Sequence, residues 1–151
     1  MRSSVLLLLP WLAFAGEKTV EASQVPAAVV KAATDRYPKA KVTKYTEETK
    51  GAKKGYKVEL DVAGQKVEVM VAADGTLEAE ERTLTLNDLP VAVAKALAAS
   101  KYSKAAVRSV ERIEELRTKG PLMWELSVEL GGKKRELLFD EAGALKKDKA
   151  D

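Results

Sequence analysis

Adjacent carboxylates are the residues of this chain whose type and spacing could do chemistry. Glutamates are paired at Glu47/Glu48, Glu80/Glu81 and Glu114/Glu115. Two carboxyl groups that share a site can work as general acid and general base. Neighbouring residues of a strand point to opposite faces, however, so each pair is divided between the two faces of a sheet. A solvated, charged strand edge, which also discourages aggregation, is the more ordinary interpretation.

The composition excludes most other catalytic and metal chemistry. The chain has no His and no Cys, so it cannot form a Ser-His-Asp or Cys-His arrangement or a zinc site of the usual ligands. Asp74-Gly75 lacks the further acidic residues that a calcium loop needs, and it is interpreted as a turn. We therefore predict no enzyme activity, no metal site and no cofactor.

Two apolar residues, Met70 and Leu138, occupy strand positions whose same-face neighbours are charged. If that sheet face is open, they form two related apolar spots that could contact a partner. If the sheet curls or the repeats cover each other, they are buried instead. Trp124 has the phase of the core residues around it and is assigned to the core. The predicted partner-binding residues are Met70, Leu138, Glu68, Glu136, Lys57 and Glu59.

An internal duplication must position these residues. Residues 56–77 align without a gap on residues 124–145 at a constant offset of 68. Each copy contains an alternating strand that begins with an aromatic residue, a glycine turn, a second apolar strand and a further glycine turn. The second turns, at Gly75 and Gly143, are expected to have positive φ. Because a half of about 60 residues is marginal alone, we expect the repeats to share a core or a sheet.

A helix is predicted before each set of strands. The first spans 27–36, with Pro26 near its start and Pro38 ending it. In the second, Asp88 is the expected N-cap and an apolar stripe continues to Tyr102. Further strands are predicted at 42–48, 77–82, 107–115 and 145–149. The predicted fold class is α+β: two tandem α-β-β-β(-β) repeats forming an antiparallel sheet with helices packed on one face.

The first fifteen residues have the pattern of a secretory signal. Arg2 precedes an apolar stretch, and Ala13-Phe14-Ala15 resembles a cleavage site, so cleavage is expected before Gly16. The apolar stretch is too short to cross a membrane. We predict a signal peptide at 1–15, an N-terminal leader at 16–23, and repeats at 24–83 and 87–149 in one shared globular unit. The protein is then periplasmic or secreted, without membrane insertion after cleavage.

Charge gives no indication of a nucleic-acid partner. The formal net charge is +3, and positive and negative residues alternate along most segments. Nucleic-acid binding needs a clustered basic face, often with stacking aromatic residues, which are scarce here. We predict no nucleic-acid partner.

Short motifs in both repeats resemble those of a known family, the PepSY-like, beta-lactamase-inhibitor-like (BLIP-like) domains of bacterial secreted proteins. In the first repeat the matching residues are Val25-Pro26-Ala27-Ala28-Val29, Tyr37-Pro38-Lys39-Ala40, Tyr56-Lys57-Val58 and Asp74-Gly75-Thr76-Leu77. In the second they are Leu89-Pro90-Val91-Ala92-Val93, Tyr102, Trp124 and Gly143-Ala144-Leu145. The resemblance implies an extracytoplasmic binding or inhibitory module whose sheet forms a shallow concave surface.

The residues expected to face away from the helices are charged, unlike the aromatic-rich anchoring patches of tight protein inhibitors. They are Lys57, Glu59, Asp61, Glu68, Glu125, Glu129, Lys134 and Glu136. Beta-lactamase inhibition is therefore not predicted. We predict a non-enzymatic module that recognises an unidentified envelope or secreted protein or peptide through its open sheet face. The alternative is a carrier of a small apolar ligand between helices and sheet.

Overall fold

The computed structural model describes residues 16–151, which form one antiparallel sheet of nine strands that neighbour one another in chain order. The strands are β1 (Gly16–Val20), β2 (Lys41–Lys50), β3 (Lys53–Val62), β4 (Gln65–Ala72), β5 (Leu77–Leu84), β6 (Ala106–Glu115), β7 (Met123–Leu130), β8 (Lys133–Asp140) and β9 (Leu145–Ala150). Helices α1 (Ala27–Arg36) and α2 (Val91–Ala99) precede β2 and β6. The predicted α+β fold with tandem repeats is confirmed. The predicted signal peptide lies outside the described residues.

Both helices pack on the same face of the sheet, as predicted. Val29 and Ala33 of α1 are fully buried in a first core with inward residues of β3 and β4. Val93 of α2 is fully buried in a second core with residues of β6, β7 and β8. Trp124 belongs to the second core and is 4% exposed, which confirms its assignment. Each repeat therefore has its own helix-covered core.

The pairing of β5 with β6 joins the two repeats into one sheet. The ladder runs from Ala79 opposite Glu115 to Leu84 opposite Val110. Register shifts recur at related places, between Val42 and Lys44 in the first repeat and between Val107 and Ser109 in the second. The expectation that the repeats share a sheet is thus confirmed.

Three details differ from the sequence prediction. Asp88 does not cap α2, because its carboxylate accepts hydrogen bonds from the backbone N–H and the hydroxyl of Thr85 at 2.8 and 2.7 Å, in a preceding 3-10 turn. The helix ends at Ala99 rather than continuing toward Tyr102. Residues 16–20 of the predicted leader form β1, which pairs with β2. No helix within residues 16–151 is long and apolar enough to cross a membrane.

Candidate functional site

Strand register determines which residues lie on the sheet face opposite α1 and α2, called the open face below. In β4, Val69 packs in the core under α1, so its neighbours Glu68 and Met70 point to the open face. In β6, Val110 packs in the core under α2, so Glu111 points to the open face. Neither described helix covers this face.

Met70 and Leu138 lie on the open face, as their phase predicts, but they are not exposed. Met70 is 3% exposed and Leu138 is 8% exposed. Leu138 packs against Ile113 and Met123. A register shift follows each of the two residues, and a bulge bends a strand and increases its twist. Of the two alternatives left open by the sequence, exposed apolar spots or burial, the structure has burial at both positions.

Glu59 and Glu68, two of the predicted partner-binding residues, share one lysine on the open face. Lys66 Nζ lies 3.2 Å from a carboxylate oxygen of each. The hydroxyl of Thr43 also donates to Glu59 Oε1 at 2.9 Å. Burial raises the pKa of Glu59, but these donors outweigh it and hold that pKa below its ordinary value.

Lys57, another predicted residue, lies toward β1 and β2 on the same face. Its Nζ is 3.6 Å from carboxylate oxygens of both Glu17 and Glu48. Burial lowers the pKa of Lys57, but the charges of Glu68, Glu17 and Glu48 outweigh it and raise the pKa on balance. Lys57 is therefore already engaged with carboxylates of this chain.

Five successive strands, β4 to β8, each contribute one glutamate to a continuous row on the open face. Glu68 is directly opposite Glu81, and Glu111 is directly opposite Glu125. Glu136 lies one diagonal step from Glu125. Opposed Cβ atoms are about 5 Å apart and diagonal neighbours about 7–8 Å. We call these five residues the acidic row; because like charges directly opposite destabilise a sheet, the row opposes folding.

Only the ends of the acidic row have cationic partners. Glu68 lies 3.2 Å from Lys66, and Glu136 lies 3.6 Å from Lys147. Within residues 16–151, Glu81, Glu111 and Glu125 make no salt bridge, and we call these three residues the central glutamates. The middle of the open face therefore carries carboxyl groups that no cation in the described part of the chain pairs at salt-bridge distance.

The pKa values of the central glutamates reflect this environment. Burial raises the pKa of Glu81 to about 8, with further contributions from the charges of Glu111, Glu68 and Glu125. Burial also raises the pKa of Glu111, helped by Glu68, and that of Glu125, helped by Glu136. Half-buried, mutually repelling carboxyl groups take up protons more readily than exposed ones.

Sequence reasoning placed Glu68, Glu125 and Glu136 on the outward face but missed Glu81 and Glu111. Both missed residues belong to the β5–β6 ladder, which joins the repeats and has no counterpart within either one. The inward phase of Val110 was a usable signal, since it makes Glu111 point outward.

The adjacent glutamates are divided between the two faces, as predicted, but they are not a solvated edge. Glu80 is 1% exposed, Glu48 is 4% and Glu115 is 7%. On the helix-covered face, Glu80 accepts hydrogen bonds from Arg36 Nε and the Tyr37 hydroxyl, both at 2.7 Å. Burial raises the pKa of Glu80, but these bonds outweigh it and hold that pKa below its ordinary value. This carboxylate is part of the helix-to-sheet packing.

The second repeat has a related contact. The Tyr102 hydroxyl donates to Asp148 Oδ2 at 2.8 Å, and Arg135 Nε donates to Asp148 Oδ1 at 2.5 Å. In each repeat, the tyrosine that follows the helix is thus hydrogen-bonded to an acidic residue of the last strand. This recurrence in both copies indicates a structural role.

The acidic row does not form a metal-binding geometry. Among residues 16–151, no three or more acidic side chains are arranged to hold a metal ion. A shallow cleft of about 370 Å³ lies beside the end of α1, lined by Arg36, Tyr37, Pro38, Lys39, Ala40, Val62 and Ala63. The space directly under α1 is filled, since Val29, Ala33 and Val58 have no exposed surface.

Comparisons with known proteins agree with this architecture. The family model described as "Putative beta-lactamase-inhibitor-like, PepSY-like" matches residues 11–79 and again residues 64–147. A solved structure of a BLIP-like protein from Bacteroides fragilis is 30% identical, with a TM-score of 0.68, over 83% of this chain and 86% of that one. No curated protein matches.

Two further solved structures establish likeness of fold. One, described as "putative periplasmic", is from Bacteroides eggerthii; it is 22% identical with a TM-score of 0.73, over 83% of this chain and 88% of that one. The other, a DUF2874 family protein from Bacteroides uniformis, is 22% identical with a TM-score of 0.73, over 83% of this chain and 89% of that one.

Proposed function

Because the chain belongs to the beta-lactamase-inhibitor-like, PepSY-like family, we propose that it is a non-catalytic binding module of the cell envelope whose open face recognises a protein or peptide. The observation that carries the proposal is that, in the described chain, the middle of the open face is uncovered by helices and unpaired by cations. No described helix covers it, and the central glutamates on it have no cationic partner within residues 16–151. Carboxyl groups without a cationic partner, on a sheet face that no described helix covers, are suited to recognition of a cationic partner.

Several observations support binding rather than catalysis. The chain has no His and no Cys, which removes the usual nucleophile–base arrangements. The buried carboxylate of Glu80 is fully used in helix packing, through Arg36, Tyr37 and Arg82. An envelope location is supported by the described likeness to periplasmic proteins and by the signal pattern of the first fifteen residues.

The family name refers to beta-lactamase inhibition, but this open face lacks the features of such an interface. None of the open-face positions of the described strands β3 to β8 is aromatic, whereas hot spots of tight interfaces are enriched in Trp and Tyr. We therefore do not propose a beta-lactamase as the partner. The carrier hypothesis gains no support either, because the helix–sheet space around Val29 and Ala33 is filled.

Site-specific crosslinking in intact cells tests the proposal. A photoreactive residue at Ser127, which lies on the open face opposite Glu136, is compared with one at Lys95 on the exposed side of α2. Both proteins are expressed as the full chain in the native envelope. We expect a discrete crosslinked product from position 127 and none from position 95. Equal products at both positions, or a product only at 95, would contradict a role for the open face.

Met70 and Leu138 are unsuitable positions for this test, because both are buried. A polar substitution at either one would be expected to destabilise the fold by leaving a buried polar group unsatisfied. Loss of binding in such a variant would report on folding rather than on recognition.

A further inference from the structure

We infer that the partner of the open face presents a cationic, extended peptide segment, and that its Arg or Lys side chains lie against Glu81, Glu111 and Glu125. This inference rests on the proposed function of the open face. Three features of the open face point to this partner: the charge pairing within the acidic row, the buried carboxylate oxygens without partners, and the absence of a metal-binding geometry in the described chain.

The first observation is the contrast between the ends and the middle of the acidic row. Lys66 and Lys147 pair with the end residues Glu68 and Glu136, at 3.2 and 3.6 Å. The central glutamates make no such contact within residues 16–151. Since the described chain forms salt bridges at both ends of the row and none in its middle, the middle is complementary to a cation from another molecule.

The second observation is that carboxylate oxygens on the open face lack hydrogen-bond partners. Oε2 of Glu125 is screened from solvent and accepts no hydrogen bond in the described chain. Oε1 of Glu115 also accepts no hydrogen bond in the described chain, whereas Oε2 of that residue accepts one from the Thr118 hydroxyl. Glu115 is only 7% exposed and lies two same-face positions along β6 from Glu111. An unsatisfied buried acceptor is destabilising, and more so when it is charged, so a donor from a partner would be stabilising.

The third observation concerns which cation fits. A calcium ion takes six to eight oxygen ligands converging on one point, whereas the central glutamates are spread over three neighbouring strands and form no metal-holding group. Guanidinium and ammonium groups instead pair with carboxylates one or two at a time, and Arg does so with two parallel hydrogen bonds. Glu111 and Glu125, directly opposite each other, can both contact one guanidinium.

An extended peptide fits the layout of the row better than a single small cation. Neighbouring strands are about 4.8 Å apart, so the central glutamates extend over roughly 10 Å across β5, β6 and β7. Alternate side chains of an extended peptide are about 6.7 Å apart on one face. Two or three cationic side chains of one segment can therefore reach the central glutamates together.

Binding of a cationic segment should also release protons from the central glutamates. Glu81 is faced by Lys57 from β3, Glu68 from β4, Glu111 from β6 and Glu125 from β7. Burial and the neighbouring carboxylates raise its pKa to about 8, and a cation placed beside it would lower that value. Binding at pH 7 should therefore release protons to the buffer.

The experiment compares synthetic peptides that differ only in charge. Protein purified from the envelope of cells expressing the full chain is titrated with a twelve-residue alternating Arg-Thr peptide, and with the corresponding Glu-Thr peptide. We expect the Arg-Thr peptide to bind with an affinity that falls as the salt concentration rises. Its binding at pH 7 should release protons from the protein to the buffer. The Glu-Thr peptide should not bind.

Two triple variants that each replace three carboxyl groups by amides localise the site. The test variant is Glu81→Gln, Glu111→Gln, Glu125→Gln. The control variant carries Glu21→Gln, Asp35→Asn and Glu141→Gln, all at exposed positions away from the open face. We expect the test variant to bind at least ten times more weakly and the control to bind within about twofold of the native protein. Trp124 emission reports whether each variant is folded.

Each outcome decides the inference. Unchanged affinity in the test variant, equal loss in the control variant, or equal binding of the two peptides would overturn it. Spermine competing as well as the Arg-Thr peptide would indicate a small polyamine rather than a peptide segment. If no cationic peptide binds but position 127 still crosslinks in cells, the cationic partner is wrong and the proposed function stands. If both experiments fail, both are wrong.

Discussion

Glu81 is the residue that most clearly destabilises the folded sheet while contributing to the proposed binding site. It lies opposite Glu68, has no salt bridge within residues 16–151, and is half-buried. Proteins retain such energetically unfavourable groups mainly at functional sites. Burial, together with the charges of Glu111, Glu68 and Glu125, raises the pKa of Glu81 to about 8, so the free-energy cost of ionising Glu81 in the folded protein can be measured.

The free energy of unfolding should depend on pH through Glu81. Below pH 4.5, this carboxyl is protonated in both the folded and the unfolded chain. Between 4.5 and about 8, the folded state holds a proton that the unfolded state has lost, so the free energy of unfolding falls as pH rises and becomes level above pH 8. The raised pKa values of Glu111 and Glu125 act in the same direction.

Substitution Glu81→Gln should flatten this dependence and stabilise the protein at pH 8, by an amount on the order of a few kcal/mol. Urea midpoints measured from pH 5 to pH 9 check it. The exposed Glu141→Gln serves as control and should keep the native slope. A native protein whose midpoint rises between pH 5 and 8 would contradict this account of the acidic row.

At the scale of elements, the turns between β4 and β5 and between β8 and β9 determine how closely each helix approaches the sheet. Gly75 and Gly143 have φ of +90° and +83°, which confirms the positive φ expected from the sequence. A Cβ on Gly75 would lie 2.9 Å from the carbonyl oxygen of Ala28, and one on Gly143 would lie 2.4 Å from that of Ala92. Each glycine is therefore needed for its backbone angle and for helix contact.

A series of Gly→Ala substitutions separates these two requirements. Gly64 has a similar φ of +85° but open space around it, so Gly64→Ala should cost only the backbone strain, about 1–2 kcal/mol. Gly143→Ala adds a clash with helix backbone and should cost about 3 kcal/mol or more. Gly75→Ala should fall between them. Equal urea midpoints for all three variants would mean that the helix contact contributes nothing.

The same elements show why part of the fold was predictable from the sequence. Alternation in β3 and β7, together with the prolines that flank the helices, predicted strands and helices because each signal is local. The strand β1 was missed because Gly16–Val20 has one inward apolar residue, Val20, and shows no alternation. Its position depends on pairing with β2, which residues 16–20 do not reveal.

The candidate site was only partly predictable for a related reason. The charges of Glu68 and Glu136 and their outward direction follow from alternation within single strands. The central glutamates become neighbours only when β5 pairs with β6, across the boundary between the repeats. The burial of Met70 and Leu138 likewise depends on neighbouring strands and on bulges that sequence periodicity does not indicate.

At the scale of the whole molecule, residues 16–151 form two helix-covered cores on one sheet. The first core contains residues of α1 and strands β1, β3 and β4, and the second contains residues of α2 and strands β6 to β8. No buried residue belongs to both sets. The two halves are coupled through the β5–β6 ladder, and each half alone would be near the lower size limit for independent stability and would expose an unpaired edge strand.

This arrangement predicts that the repeats unfold together, and the position of the tryptophans makes the prediction testable. Trp124, in the second core, is the only tryptophan after residue 15, so fluorescence reports on the second repeat. Val69→Ala removes fully buried side-chain volume from the first core and should cost about 2 kcal/mol. If the sheet transmits this loss, the urea midpoint measured at Trp124 falls, although the substitution lies in the other repeat. Leu137→Ala, at the equivalent fully buried position of the second core, is the matched control and must lower that midpoint in either case.

A Trp124 midpoint unchanged by Val69→Ala, with an earlier transition by far-ultraviolet circular dichroism, would show that the repeats unfold separately. The open face would then lie across two independent units, because its central glutamates come from β5 in the first repeat and from β6 and β7 in the second. A single shared transition instead means that the acidic row is held at fixed spacing by one cooperative sheet, as simultaneous contact with an extended partner requires.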